Sequence, residues 1–136
     1  ILAGIYYFSS AAFPDRVGIR WSAYDQGLLE KAALEGKPVI IDFYAEWCLP
    51  CKSLDSTVFR DEEVVELSEK FVVMRMDLTK KQSTQDELLE RYQVIGVPTV
   101  IFLNKEGQEL TALRIESAVG KEEFLSAMKQ ALLQSP

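Results

Sequence analysis

The 136-residue chain contains no histidine and only two cysteines, Cys48 and Cys51. Zinc takes three or four protein ligands, so a metal held within this chain would need carboxylates to complete one soft thiolate pair. Basic clusters are missing as well. There are 15 Lys and Arg against 21 Asp and Glu, a net charge of −6, and with no concentrated positive charge to neutralise phosphates the composition argues against nucleic acid. The charge serves solubility. Internal repeats and low-complexity tracts are absent, and the uncharged opening, Ile1 to Phe13, falls short of the ~20 apolar residues that a helix needs to cross a bilayer.

What is present fits one globular domain. Hydrophobic residues make up 48% and charged residues 26%, which is against disorder and enough for a modest core. The chain starts at Ile1 rather than Met and is read as a piece of a longer precursor. Residues 1–20 are expected to be the end of a preceding membrane helix and a linker, with Tyr6, Tyr7 and Phe8 near the interface, and residues 21–136 the domain. A signal-peptide remnant, or a segment that packs on the domain, are the competing readings.

The stretch from Pro38 to Lys52 organises the rest. Val39 to Ala45 is a near-continuous apolar run bounded by a proline, the pattern of a strand buried on both faces of a parallel sheet. Both cysteines follow, three apart, with Pro50 between them. If a helix starts near Cys48, that proline falls in the first turn, where its missing N–H costs nothing. The two sulfurs then share a face and can close a short disulfide, while Cys48 lies among unpaired backbone N–H groups at the positive end of the helix dipole. Lowering a cysteine pKa from about 8.5 toward about 7 raises its thiolate fraction at neutral pH from a few per cent to roughly half. Cys48 is the candidate nucleophile and Cys51 the resolving thiol. A CxxC after a strand in a βα context favours redox chemistry over half a zinc site or a purely structural disulfide.

Elsewhere the periodicity is that of scaffold. Ile19 to Ala23 reads as a short edge strand, and Leu28, Leu29, Ala32, Ala33 and Leu34 recur at helical spacing from Tyr24-Asp25 to a stop at Gly36. Leu54, Val58 and Phe59 continue the cysteine helix. Asp61, followed by Glu62 and Glu63, reads as the cap of a further piece carrying Val64, Val65 and Leu67. Phe71 to Leu78 is a second central strand with Arg75 and Asp77 toward its end. Thr84 and Glu87 match a capping box ahead of Leu88, Leu89 and Tyr92. Thr99 to Leu103 and Leu110 to Ile115 read as two strands joined by a hairpin loop at Asn104 to Gln108. Phe124, Leu125, Met128 and Leu132 mark a closing amphipathic helix from Lys121. The order β-α-β-α-β-α-β-β-α predicts an α/β fold, a central mixed sheet of four to five strands flanked by helices on both faces. Cys48 falls at the carboxyl end of a strand, where open sheets of this kind place their sites.

The segment Ile41-Asp42-Phe43-Tyr44-Ala45-Glu46-Trp47-Cys48-Leu49-Pro50-Cys51-Lys52 resembles the active site of thioredoxin-fold oxidoreductases. Gly96-Val97-Pro98-Thr99 resembles their cis-proline loop, and the similarity runs from about Ala23 to Leu133. Tyr44 to Cys48, Lys52 to Phe59 and Gln93 to Thr99 look most like the C-terminal periplasmic thioredoxin-like domain of the DsbD family of transmembrane thiol:disulfide interchange proteins. The resemblance implies the thioredoxin fold for residues 21–136 and a protein-disulfide reductase held at the periplasmic side of the bacterial inner membrane. It further implies that electrons arrive from a membrane domain of the same polypeptide and leave to protein disulfide substrates or redox partner domains. No organic cofactor is implied, because the Cys48–Cys51 disulfide itself carries the electrons. Two other readings stand beside it: a membrane-tethered thioredoxin-like protein for cytochrome maturation or general reduction, and a non-catalytic interaction or metal-binding module using the thiol pair.

Further residues take expected roles. Asp42 interrupts an apolar strand ahead of Cys48; a buried carboxylate has a raised pKa, and in thioredoxins the matching acid takes the proton of the resolving thiol, here Cys51. The plain alternative is a polar strand edge. Asp55, on the cysteine helix, matches an acid that modulates the thiols in the DsbD family, or is a solvated helix residue. Trp47 shields the disulfide or only packs; Glu46 modulates the site or is a surface charge. Pro98, cis by resemblance, would lie against the disulfide and expose the Val97 backbone, so that an extended substrate segment can pair there as an added strand. Two positions depart from the pattern. Ser117 stands where relatives often have a Gly lining the docking surface, and Leu49-Pro50 differs from the Gly-Pro of thioredoxin and from the usual DsbD dipeptide. That dipeptide helps set the potential, in which about 30 mV corresponds to about 1.4 kcal/mol.

Overall fold

The computed structural model describes residues 18–81 and 83–134. The expected membrane-helix end, Ile1 to Phe13, and the linker as far as Val17 lie outside them. Among the described residues no helix is long and apolar enough to cross a membrane.

Four strands of the described residues form one mixed sheet: β1 (Ser22–Ala23), β2 (Val39–Tyr44), β3 (Val72–Asp77) and β4 (Thr99–Leu103), in the spatial order β1-β3-β2-β4. β1 and β2 both run parallel to β3, and β4 pairs antiparallel with β2. Among the described residues five α-helices surround it: α1 (Gln26–Leu34), α2 (Leu49–Ser56), α3 (Glu62–Ser68), α4 (Gln85–Arg91) and α5 (Lys121–Leu133). This is the predicted α/β architecture, with four strands.

The helix boundaries follow local chemistry. The Asp25 carboxylate accepts from the Gly27 and Leu28 amides, and Asp61 does the same for Glu63 and Val64, each satisfying donors that a helix start leaves unpaired. Gly36 ends α1 at φ 66°, a left-handed conformation that glycine adopts without strain. The predicted capping box at Thr84 does not form. Thr84 precedes α4 with helical backbone angles, φ −93° and ψ −3°, and makes no side-chain cap bond, whereas capping geometry starts from an extended residue.

The predicted strand from Leu110 to Ile115 is also absent. The hairpin loop exists, with Asn104 Oδ1 accepting from the Glu106 and Gln108 amides and Gly107 at φ 83°. Beyond it the chain touches β4 at two isolated points, Leu103 opposite Glu109 and Val100 opposite Ile115. Between them Thr111–Leu113 winds into a 3-10 turn. The register slips by three residues across that interval, so a continuous ladder is impossible. Arg114 holds the excursion: it pairs with the Glu109 carboxylate through Nε at 2.8 Å and Nη2 at 2.7 Å, and also donates to the Tyr92 and Gln93 carbonyls after α4.

β2 is buried along its whole length, and successive side chains point to opposite faces. Val39, Ile41 and Phe43 join a core with Leu29 and Ala32 of α1, Met74 and Met76 of β3, Leu88 of α4, and Ile101 and Leu103 of β4. Ile40 joins a second core with Leu54 of α2, Val64 of α3, Val100 and Phe102 of β4, and Phe124 and Met128 of α5. Ile19 belongs to this second core, and its amide donates to the Phe59 carbonyl at 2.9 Å. The folded unit therefore includes Ile19. The predicted edge strand is reduced to Ser22–Ala23, the two residues in register with Met74 and Arg75.

Candidate active site

β2 ends at Tyr44 and delivers the chain to the start of α2, where Cys48 is the N-cap residue with extended angles, φ −88° and ψ 108°. Its sulfur accepts the Cys51 amide at 3.2 Å, and Pro50 lies in the first turn, where no amide hydrogen is needed. Cys48 and Cys51 are joined as a disulfide with Cα atoms 5.3 Å apart, inside the ordinary range. Both are buried, in a small cluster with Tyr44 and Ala45 against which Val97 packs. The Val97–Pro98 peptide is cis. Thr99 Oγ1 donates to the Gly96 carbonyl at 2.7 Å across that loop, and the Arg114 bonds to Tyr92 and Gln93 hold its approach.

Large apolar side chains stand in solvent on either side of Cys48 in the chain and at the entry to the Val97 loop. Trp47 and Leu49, which flank Cys48 in the chain, are 68% and 80% exposed, and Ile95, leading into the Val97 loop, is 94% exposed. Trp47 is therefore not a core residue, and the apolar side chains clustered with the sulfurs are Tyr44, Ala45 and Val97.

Behind the disulfide lies a charged cluster. Asp42 is 2% exposed and occupies the middle of a wholly buried strand, so it is not at a polar strand edge. Its Oδ2 accepts from Arg75 Nε at 2.8 Å, and the same oxygen is ion-paired with Nη2 at 2.7 Å. The same guanidinium reaches Asp55 on α2, one turn beyond Cys51, through Nη2 at 2.6 Å and Nη1 at 3.3 Å. Asp55 is thus ion-paired rather than a solvated helix residue. The guanidinium carbon lies 4.2 Å from the Tyr44 ring centroid and 5.3 Å from that of Trp21. Burial pushes the Asp42 carboxyl up to about 6, against the pull of Arg75 in the other direction. Burial works to lower Arg75, but the hydrogen bonds and charges of Asp55 and Asp42 outweigh it and hold the guanidinium above its ordinary value.

Glu46 lies on the exposed side. It accepts from the Tyr44 hydroxyl at 2.6 Å and from Lys52 Nζ at 2.7 Å, and its amide donates to Thr79 Oγ1 at 2.8 Å. The bonds from Lys52 and Tyr44 lower its pKa. Because Glu46 holds the phenol proton, and burial adds to the effect, Tyr44 is pushed up to about 12. The structure therefore brings Cys48, Cys51, Val97 and Pro98 together, sets Asp42 and Asp55 in one cluster, and leaves Trp47 and Glu46 on the rim.

Arg75 and Trp21 went unmarked as site residues in the sequence. A signal was there for Arg75. β2 and β3 are apolar six-residue strands, each interrupted at its fourth position by one internal charge, and Asp42 and Arg75 are register partners.

A helix-capping CxxC disulfide beside a cis-proline loop, on a β-α-β unit extended by an antiparallel strand, defines a thiol:disulfide oxidoreductase. The thioredoxin-like domain family matches residues 26–132, and the chain belongs to it. Among solved structures it is similar to a thioredoxin from Thermus thermophilus, with 30% identity and a TM-score of 0.71, covering 86% of this chain and 89% of that one. The reduced C-terminal domain of DsbD from Neisseria meningitidis follows it closely, with 25% identity and a TM-score of 0.68 over 81% of this chain and 99% of that one. Among curated proteins, the thiol:disulfide interchange protein DsbD of Actinobacillus pleuropneumoniae is 35% identical over 98 residues, 72% of this chain and 17% of its own length. That of Vibrio cholerae is 35% identical over 105 residues, 77% of this chain and 18% of its own length. The chain spans under a fifth of these curated relatives.

Proposed function

We propose that the chain works as a protein-disulfide reductase at the periplasmic side of a bacterial inner membrane, passing electrons from a membrane domain of the same polypeptide to disulfide-bearing protein partners. The observation that carries the exchange chemistry is the Cys48–Cys51 pair at the mouth of α2. The similarity to DsbD and the uncharged Ile1 to Phe13 support the membrane relay.

In the reduced form, the Cys48 thiolate attacks one sulfur of a partner disulfide. The partner S–S bond breaks, a Cys48–partner mixed disulfide forms, and the partner's other sulfur leaves as a thiolate that takes a proton from water. Asp42 accepts the Cys51 proton, and the Cys51 thiolate then attacks the Cys48 sulfur. The second partner thiolate departs, and Cys48–Cys51 is left oxidised. Two electrons have passed to the partner, and the reverse exchange with the upstream domain restores the dithiol. The electrons are carried by the reduced Cys48/Cys51 dithiol, which ends as the disulfide, and the exchange calls for no organic cofactor. An extended partner segment would pair with the Val97 backbone, its apolar side chains resting on Trp47, Leu49 and Ile95. Asp55 and Glu46 modulate the thiols through Arg75 and Lys52.

Insulin reduction with dithiothreitol as the electron source, together with the reduction potential against glutathione, tests this reading. A reductase has a potential below about −200 mV, whereas a value near about −120 mV would make it an oxidant. Metal bound stoichiometrically by the reduced chain, with no insulin reduction, would instead identify a metal-binding module.

A further inference from the structure

We infer that Arg75 is a positioning residue: its single guanidinium joins the Asp42 and Asp55 carboxylates into one unit, so that the ionisation of the acid behind the disulfide is set jointly by β3 and α2. The functional consequence rests on the reductase reading above, in which Asp42 takes the Cys51 proton.

The geometry requires a planar, branched cation. Nη2 is shared, at 2.7 Å from Asp42 and 2.6 Å from Asp55, while Nε serves Asp42 at 2.8 Å and Nη1 serves Asp55 at 3.3 Å. Each carboxylate therefore meets two nitrogens of one rigid fork, which an ammonium on a flexible stem cannot reproduce. The Tyr44 and Trp21 rings beside the guanidinium help to fix its position.

One cation faces two acids, so the cluster carries an excess negative charge whenever both are ionised. Asp55 then favours a proton on Asp42, and Arg75 opposes it. When Asp42 takes up a proton, the guanidinium is left wholly to Asp55 and the cluster becomes neutral. The side chains are graded in exposure, with Asp42 at 3%, Arg75 at 19% and Asp55 at 33%, so the acid that does the buried chemistry is tuned through a neighbour that reaches water.

Other groups face the cluster from the surrounding elements. Tyr44, on the same strand, is tied by its hydroxyl to Glu46. Val100 of β4, the remaining register partner of Asp42, carries no charge. Arg60 lines a groove of about 370 Å³ with Trp21, Asp55 and Arg75, and Lys52 lines the neighbouring groove with Asp55 and Arg60. Neither Arg60 nor Lys52 replaces the fork at Asp42, whose ion pair is with Arg75.

The test is a carboxyl ¹³C NMR titration of Asp42 in the oxidised and reduced 136-residue chain, for wild type, Arg75→Met and Asp55→Asn. Methionine keeps an unbranched apolar stem between the rings and removes the fork. The Asp42 midpoint should rise by about one unit or more in Arg75→Met, a tenfold loss of ionised acid at a given pH below both midpoints, and should fall in Asp55→Asn. A folded Arg75→Met chain with an unmoved midpoint overturns the proposal, as does a midpoint that stays or rises in Asp55→Asn.

If Arg75→Met does not fold, Arg75→Lys keeps one charge and loses the fork. The response of Asp42 to Asp55→Asn should then drop by half or more, and an equal response in the Arg and Lys backgrounds overturns the bridge. Insulin reduction separates the two readings. Shifted midpoints in a chain that reduces no insulin would leave the bridge standing and remove the reductase, whereas unmoved midpoints in an active chain would do the opposite.

Discussion

On one face of β2, Val39, Ile41 and Phe43 meet apolar side chains from α1, β3, α4 and β4. On the other, Ile40 lies in a second apolar core, yet Asp42, two residues on, meets a guanidinium that it shares with a second carboxylate. β2 itself is buried on both faces, but burial acts on them with opposite signs. Removing apolar surface from water stabilises the fold by roughly 25 cal/mol per Å², whereas enclosing a carboxylate costs free energy that one hydrogen-bonded partner offsets in part. The raised Asp42 pKa is the measure of what is not offset. The apolar face supplies the stability that lets the other face hold a charge in the interior.

The sharpest break in this comparison is chemical. Cys48→Ser should reduce exchange with any disulfide substrate to background, read by insulin turbidity, while the far-ultraviolet circular dichroism remains that of the folded chain. On the apolar face the effect should be one of stability alone. Phe43→Ala leaves a cavity in a fully buried site and should cost about 3–5 kcal/mol in urea unfolding, with turnover per folded molecule little changed.

Asp42→Asn should do the reverse, trading turnover for stability. The folded-state pKa of about 6 is above the ordinary 3.8, so the native state binds the proton more tightly than the unfolded chain does. The stability this proton contributes is full below about pH 4 and is lost as pH rises through about 6. A neutral asparagine removes that slope. The variant should gain up to about 3 kcal/mol over wild type at pH 8 and nothing near pH 4, while mixed-disulfide resolution slows. Turnover unchanged across neutral pH would take Asp42 out of the mechanism. The smallest effect belongs to the rim. Glu46→Gln removes the carboxylate that holds the Tyr44 proton, so the phenol should titrate nearer about 10 than about 12 in ultraviolet difference spectra.

Much of this was legible from residues. The apolar run of β2, the proline after Cys48 and the Asp25 and Asp61 caps are local signals, and local signals fix local structure wherever tertiary packing agrees with them. The fifth strand failed because alternating apolar residues report burial, not pairing. Leu113 and Ile115 are buried as the pattern requires, but the spacing of the chain's two contacts with β4 admits only a turn between them. The Thr84 box failed because a motif names side chains and cannot specify the backbone angles that capping needs.

The sequence by itself determined the two sulfurs, the helix they cap, the order of the elements and an acid within a buried strand, because each depends on residues close together in the chain. Only the tertiary structure decided what that acid meets. Asp42, Asp55 and Arg75 belong to three different elements, and an ion pair between them exists only once parallel pairing has set β2 beside β3 in one register and α2 has packed across that face. Electrostatic energy depends on distance in space, which separation along the chain does not reveal.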